Sequence, residues 1–560
     1  MEKKITIQFV SHQCSAEVES GTTILAAARQ AGLVLESPCN GGGTCGKCKV
    51  KVRKEHLPQI TRGEGKHHLS QEEEAEGWVL ACQAKALGNI DVITTLEDQK
   101  EKNLKILDQG TSISYSIENH VQKQYDGTKT KVLFDAEVIG EEEGDTSSEN
   151  YGVVIDIGTT TLVASLIRVT TGEELASVSA LNPQSVYAQD VLTRIHFASN
   201  EEGLKTMHQL IVKEINQMLD KICTQAGIEK RFIYEIIYSG NTTMLHLAVG
   251  QNPESLGQYP YISQIAGGEY VEASEQKIDI SPFGKLYLPP VISAYVGPDI
   301  TSGILASRLQ DFKGTVLFID IGTNGEMAIA QNGQLFATST AAGPAFEGMN
   351  ITFGMRAEAG AIEFFEIQED GSIVIRTIMQ QKPKGICGSG LFDIVGELVR
   401  VGIIQQNGRF ASSEKKVQYP KLLSRIEEYN GKPAFLLAEG VYLTQKDIRQ
   451  VQLAKGAVRA GVEALLKAQQ VESSQIDSVE IAGSFGYHLQ TKSLVNIGIL
   501  PADFLDKITF VGNTSKSGGK AFLLHSPYRR EMKELVERIG CVELSKMDGF
   551  DELFIRCLNF

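Results

Sequence analysis

The alternation of apolar and polar residues changes period along the chain, and each change marks an element. "KKITIQFV" and "CSAEVES" repeat every second residue and predict a hairpin. "TTILAAARQAGL" repeats with the 3.6 period of an amphipathic helix, and "CKVKVRK" and "NIDVITT" return to strands. From Glu97 to Asn150 the pattern lapses into charged runs, "EDQKEKNLK" and "GEEEGDTSSEN", around one short strand in "TKVLFDAEVIG". That composition predicts a linker with a little structure, a mobile tether, in which Glu141–Glu143 is a solvated loop tip.

After Asn150 the strands become continuously apolar, and one pattern occurs twice. "YGVVIDIGTTTLVASLI" at Tyr151 returns as "GTVLFIDIGTNGEMAIA" at Gly314: an apolar strand, Asp-Ile-Gly-Thr, then a second strand. "IYEIIYSGNTTMLHL" at Ile233 is answered by "SVEIAGSFGYHL" at Ser478, a strand, a small polar turn and a helix start. The turns recur in the same order, Asp156 then Gly240, and Asp320 then Gly483, which predicts two structurally similar halves. The expected fold class is multidomain α/β. Its expected divisions are residues 1–96, a linker over 97–150, a first half over 151–313, and a second half with a C-terminal extension over 314–560.

Length and charge narrow the function. The 560 residues allow about three or four domains, and a hydrophobic content of 42% allows a sizeable core. A net charge of −15 speaks against a nucleic-acid partner, which requires clustered Lys and Arg. There is no run of about 18 apolar residues and no signal-peptide core, so no membrane span and a cytoplasmic location are expected. In that reducing compartment clustered cysteines point to metal or redox chemistry and not to disulfides.

Four of the nine cysteines form such a cluster. Cys39, Cys45, Cys48 and Cys82 are spaced C-x5-C-x2-C-x33-C, while Cys14, Cys223, Cys387, Cys541 and Cys557 are scattered singly. A zinc ribbon would offer a second C-x2-C knuckle, which is missing. A 2Fe-2S cluster needs three thiolates in one short loop and a fourth from elsewhere. Gly41, Gly42, Gly43 and Gly46 let the loop curl and aim N–H groups at sulfur. The loop and the strand order resemble the β-grasp fold of ferredoxins, and the x5 spacing is more similar to the vertebrate and bacterial 2Fe-2S variant than to the plant type. Cys387, Cys541 and Cys557 read as buried packing thiols.

The duplicated turns suit phosphate. Gly and Thr after a buried strand make a tight hairpin whose N–H groups and hydroxyl face an anion. The Asp repels phosphate but holds Mg²⁺ or its waters. Asp156 and Asp320 are thus the metal- or water-positioning candidates, and Gly158, Thr159, Thr160, Gly322, Thr323 and Asn324 the phosphate cradles. "GICGSGLFDIV" sets Gly385, Gly388, Ser389 and Gly390 ahead of a helix, as an anion site or a plain cap. Asp299, Glu326 and Glu347 lie in Gly-bearing segments and are candidates to position water or contact a partner. His246 reads as a packing residue, and His67 and His68 receive no role. Neither a G-x-x-x-x-G-K-[ST] loop nor a G-x-G-x-x-G between strand and helix is present, which removes Walker-type and nicotinamide readings.

The paired turns resemble those of the actin, sugar kinase and Hsp70 superfamily of ATPases over roughly Tyr151 to Cys541. In that superfamily two ribonuclease-H-like halves close on ATP. The resemblance implies Gly483, Ser484 and Gly486 as the adenosine loop. It also implies that Lys455 and Arg459 meet the base or ribose; the alternative is two solvated charges. Both lie on a helix that opens with a capping box from Thr444 to Asp447.

"GNTTMLHLAVG", "YVGPDITSGILAS" and "AAGPAFEGMNITFGMRAEAGAIE" depart from sugar kinases. With the fused 2Fe-2S domain they resemble the reductive activators of corrinoid proteins over nearly the whole chain. That implies an ATP- and Mg²⁺-using protein that passes one electron from its cluster to the cobalt(II) of a corrinoid methyl-carrier protein, regenerating cobalt(I). An outside low-potential electron donor is implied, and a homodimer is favoured. The alternatives are a redox-sensing 2Fe-2S/ATPase scaffold, an activator of another low-potential enzyme such as a 2-hydroxyacyl-CoA dehydratase, and a small-molecule kinase with an accessory cluster.

Overall fold

Period-two burial draws the N-terminal strands into one sheet in the computed structural model, which describes residues 4–12, 14–31, 33–35, 48–63, 69, 71–93, 114–355, 357–412, 414–483 and 489–560. β1 (Lys4–Phe9) buries every second residue and pairs antiparallel with β2 (Cys14–Glu19). α1 (Ile24–Gln30) starts at Thr23, whose side chain accepts the Ala26 N–H, and it buries Ile24, Leu25, Ala27 and Ala28. β3 (Lys49–Val52), β4 (Trp78–Leu80) and β5 (Ile90–Ile93) complete the sheet in the order β2-β1-β5-β3-β4, with β5 parallel to β1. This is the mixed sheet and crossing helix of a β-grasp domain.

The segment expected as a linker is built from Ser114 onward. Ser114–Ser116 pairs antiparallel with Leu33–Leu35, and Glu118 exchanges backbone hydrogen bonds with Leu524 and Ser526. β6 (Val121–Tyr125), β7 (Lys129–Phe134) and β8 (Glu137–Glu143) follow as an antiparallel meander. Its Val121 and Val132 join the core of the next sheet. Glu141–Glu143 therefore lies in a strand and not at a loop tip. Cations on the neighbouring strands make this tolerable: Lys123 pairs with Glu142 at 2.8 Å, and Lys129 lies 3.7 and 3.1 Å from Glu141 and Glu143. The rest of the expected linker falls within residues 94–113, outside the described residues.

Contacts divide the chain into two units, Met1–Arg308 with Thr514–Arg538, and Leu309–Asn513 with Ile539–Phe560. In the first, β9 (Tyr151–Ile157), β10 (Thr161–Arg168) and β11 (Glu173–Leu181) run antiparallel. α2 (Val191–Phe197) and the 26-residue α3 (Glu201–Ala226) then lead to β12 (Ile233–Gly240), which lies parallel to β9. α4 (Thr242–Ala248), β13 (Glu269–Glu272), β14 (Lys285–Leu288) and α5 (Pro298–Ser307) complete this stretch, and the sheet order is β11-β10-β9-β12-β14-β13.

The second unit repeats the plan. β15 (Thr315–Ile321), β16 (Gly325–Gln331) and β17 (Gln334–Thr340) run antiparallel. β18 (Ala361–Ile367), α6 (Gly388–Arg400) and α7 (Gln445–Ala468) follow. β19 (Ser478–Ala482) and β20 (Ile508–Gly512) then add in parallel, and β21 (Gly540–Cys541) closes the order β20-β19-β15-β16-β17-β21. β9 and β15 show the same burial, every position closed except the aspartate one residue from the end. α7 opens on the expected capping box between Thr444 and Asp447.

The C-terminal part of the expected second half does not stay there. α8 (Thr514–Leu524) and α9 (Pro527–Val536) group with the first unit, and only α10 (Phe550–Cys557) packs with the second. α8 crosses α5 so closely that a β-carbon on Gly518 would lie 2.0 Å from the Ser302 carbonyl. α9 is pinned by Arg529, whose buried guanidinium pairs with Glu235 at 2.6 Å, donates to the Phe522 carbonyl at 2.8 Å and lies over the Tyr287 ring. Among the described residues no helix is long and apolar enough to cross a membrane. Removing one member of a buried ion pair leaves the other charge uncompensated, so Glu235→Ala should cost the first unit about 3–5 kcal/mol, measured by denaturant unfolding.

Candidate functional site

Strand pairing brings the backbone of Cys48 next to the segment that carries Cys82. β3 and β4 pair with Lys49 opposite Leu80, and the Ala81 N–H donates to the Cys48 carbonyl at 2.8 Å. Cys48 at the head of β3 and Cys82 just past β4 are both buried in the core of the domain. The Gln83 amide lies 3.7 Å from Cys82 Sγ, in position to donate to it. Two buried thiols on neighbouring backbone segments, one supported by a hydrogen-bond donor, fit an iron–sulfur ligand set. Cys39 and Cys45 lie outside the described residues, as do His67 and His68.

The first turn is braced from behind. Asp156 stands near the end of β9 and accepts a hydrogen bond from Ser515 Oγ of α8 at 3.1 Å. The Gly158 N–H bonds to Thr161 O at 3.0 Å, closing the hairpin. Asn182 Nδ2 holds the Gly158 carbonyl at 2.9 Å, and Arg194 Nη2 of α2 holds the Thr159 carbonyl at 2.6 Å. Asn241, the N-cap of α4, donates from Nδ2 to Thr159 Oγ1 at 3.0 Å. The Asn182 N–H holds the Thr160 carbonyl at 2.9 Å. Asp299 sits in the first turn of α5, where loss of hydration and the negative charge of Asp156 push its pKa up to about 7.

The second turn uses the same frame with different braces. Asp320 lies opposite Glu326 across β15 and β16, and the Gly322 N–H bonds to Asn324 O at 2.9 Å. Thr323 Oγ1 donates to Glu347 at 2.6 Å, and its carbonyl accepts the Gly343 N–H at 2.7 Å. In each unit a glycine closes the parallel neighbour strand against the turn. A β-carbon on Gly240 would meet the Ile157 carbonyl at 2.5 Å, and one on Gly483 the Ile321 carbonyl at 2.5 Å. Ser484 and Gly486 of the expected adenosine loop lie outside the described residues.

Other candidates take up separate positions. Lys455 is not a solvated charge: it is buried in α7 beneath the C-terminal residues, where its ammonium donates to the Asn559 carbonyl and lies 5.4 Å from the Phe560 ring. Burial pulls its pKa down to about 8. Arg459, one turn further on, pairs with Glu463 at 2.6 Å. Gly388, Ser389 and Gly390 start α6 against β18; a β-carbon on Gly390 would lie 2.0 Å from the Ile362 carbonyl, and Cys387 Sγ donates to that same oxygen at 3.2 Å. Gly385 is likewise tight: a β-carbon there would lie 2.6 Å from the Phe353 carbonyl. Cys387 and Cys557 are buried as expected, but Cys541 is exposed because two-residue β21 lies at the sheet edge. His246 is buried, with Nδ1 on the Thr242 carbonyl and Nε2 accepting the Gln264 N–H.

Sequence reasoning missed Asn182, Arg194 and Ser515. Each reaches its turn from a separate element, and only Asn241, in "GNTT", stood beside a motif already singled out.

Two outcomes are expected. Gly240→Ala and Gly483→Ala should each destabilise their unit by about 1–3 kcal/mol in denaturant unfolding, from a strained backbone at φ +154° and +128° and a blocked carbonyl. Gly127→Ala, at φ +103° with open space around it, isolates the backbone share. For Asp299 the folded pKa lies above the unfolded value near 4, so its stabilisation is complete below about pH 4 and is lost as pH rises to about 7. Asp299→Asn should flatten that decline in urea unfolding of nucleotide-free protein.

Comparison with known proteins agrees with the domain order. Residues 9–87 match the family described as "2Fe-2S iron-sulfur cluster binding domain", residues 151–311 the "RACo middle region", and residues 314–560 the "C-terminal domain of RACo the ASKHA domain". The corrinoid activation enzyme RamQ of Eubacterium limosum is 30% identical over 527 residues, 88% of each chain. The Co(II) methylated amine-specific corrinoid protein reductase of Methanosarcina barkeri is 26% identical over 73% of this chain and 77% of its own. A solved structure described as "Reductive activator for corrinoid,iron-sulfur protein" superposes with a TM-score of 0.74 at 29% identity, over 99% of this chain and 98% of that one. A β-grasp domain that matches a 2Fe-2S family, followed by two strand plans built on the same turn, thus sits in a chain that belongs to the family of corrinoid reductive activators.

Proposed function

We propose that the protein is an ATP-dependent reductive activator that delivers one electron to the cobalt(II) of a corrinoid methyl-carrier protein and returns it to cobalt(I). An outside low-potential donor loses one electron for each cobalt reduced. Cys39, Cys45, Cys48 and Cys82 would hold a 2Fe-2S cluster, which supplies single electrons when bound. The observation that carries the reading is the pair of matching Asp-Ile-Gly-Thr turns on one strand plan, in a chain whose N-terminal domain buries Cys48 and Cys82 in one core. A cytoplasmic setting and a homodimer belong to the same proposal, supported by the resemblance.

The residues divide the work. The Thr159 amide and hydroxyl bind phosphate, and Asp156 and Asp320 hold Mg²⁺ or its waters. Asp299 and Glu347 orient groups beside the two turns. Coupling to ATP is needed only if the acceptor is harder to reduce than the donor. A gap on the order of 100–200 mV costs roughly 2–5 kcal/mol for one electron, at ~59 mV per tenfold. Differential binding of about 5.5 kcal/mol moves an equilibrium from 1:99 to 99:1, so nucleotide-linked recognition of the partner is large enough.

The test mixes the protein anaerobically with a reductant and a cobalt(II) corrinoid protein and follows cobalt(I) absorbance with and without Mg-ATP. ATP should raise the rate or yield of cobalt(I), and Cys82→Ala should abolish it. Equal traces with and without ATP would remove the coupling.

A further inference from the structure

The braces behind the first turn suggest a role beyond holding a hairpin. A trans peptide is planar, with C=O and N–H on opposite sides, so a carbonyl held from inside turns the following N–H outward. Asn182 and Arg194 hold the Gly158 and Thr159 carbonyls in this way. Asn241 donates to Thr159 Oγ1, which leaves that hydroxyl's proton for a further acceptor. The Arg194 guanidinium is fully buried and also donates to Ala188 O, Gln184 Oε1 and Met244 Sδ. No carboxylate among the described residues lies within ion-pair distance of it. Burial lowers its pKa to about 10, so it stays charged at neutral pH. Asp190, the N-cap of α2, attracts it without touching it, and a buried guanidinium so weakly compensated gains from a phosphate on the outer side of the turn. At the second turn the matching carbonyl, of Thr323, is held by a neutral N–H, and the threonine hydroxyl faces Glu347.

Resting on the nucleotide reading above, we propose that Asn182 and Arg194 are positioning residues for a nucleotide phosphate: Asn182 aims the Thr159 amide at it, and Arg194 fixes the next peptide of the turn and adds a positive charge behind it. The two turns then divide their tasks, the first gripping phosphate and the second orienting groups through Glu347.

The test measures equilibrium binding of Mg-ATP, Mg-ADP and adenosine to the full chain. Arg194→Met and Asn182→Asp should each weaken both phosphate-bearing ligands by about tenfold and adenosine by less than about twofold. Arg194→Lys, which keeps the charge but not the planar fork, should recover part of the loss. A variant that merely loosened the fold would weaken adenosine equally, and that outcome overturns the proposal. Should Arg194→Met fail to fold, Asn182→Asp and Arg194→Lys decide it on the same ratio. Wild type that binds no ATP overturns the proposed function and this inference together. Wild type that binds, with variants that bind as tightly, overturns this inference alone.

Discussion

The first unit depends on a crossing too close for side chains. With a β-carbon at Gly518 or Gly519, α8 would strike the Ser302 carbonyl at 2.0 Å or Val154 of β9 at 2.4 Å. Only two bare positions in succession let the helix settle against both α5 and the strand. That contact sets Ser515 on Asp156 and brings Asp299 into the field of the same carboxylate. Two carboxyl groups near each other in a poorly hydrated site repel, and either a proton or a divalent cation relieves them. The packing of two glycines therefore determines the electrostatics of the turn.

The two units share a frame and differ in what surrounds it. Three antiparallel strands followed by parallel additions recur, with an aspartate near the end of the central strand and a glycine closing the neighbour. Asparagine and arginine side chains brace the first turn, while a backbone N–H and a glutamate contact the second. A duplicated backbone with unlike braces gives each half a separate task without changing the fold. The same economy operates in the N-terminal domain, where one antiparallel pairing brings together backbone segments that carry cysteines 33 intervening residues apart in the sequence.

Much of this was visible in the residues before any coordinates. The hairpin of β1 and β2, the paired Asp-Gly-Thr turns, the cysteine loop and the capping box of α7 are local patterns, each written within a few residues. The failures were all long-range. Glu141–Glu143 looked like a solvated tip because its cations, on β6 and β7, are not adjacent in sequence. Lys455 looked like a surface charge because nothing in α7 announces the chain end that folds over it. Arg194 and Ser515 reach their turns from 35 and 359 residues away.

The sequence by itself determined the kinds of chemistry present, the strand and helix periods, and the duplication, because periodicity and turn chemistry act over a few neighbouring residues. Tertiary structure alone decided which side chains back each turn, that α8 and α9 return to the first unit, and that Cys48 and Cys82 share one buried core. Those outcomes depend on close approach between segments distant along the chain, where a missing β-carbon or a buried guanidinium has meaning only once its neighbour is in place.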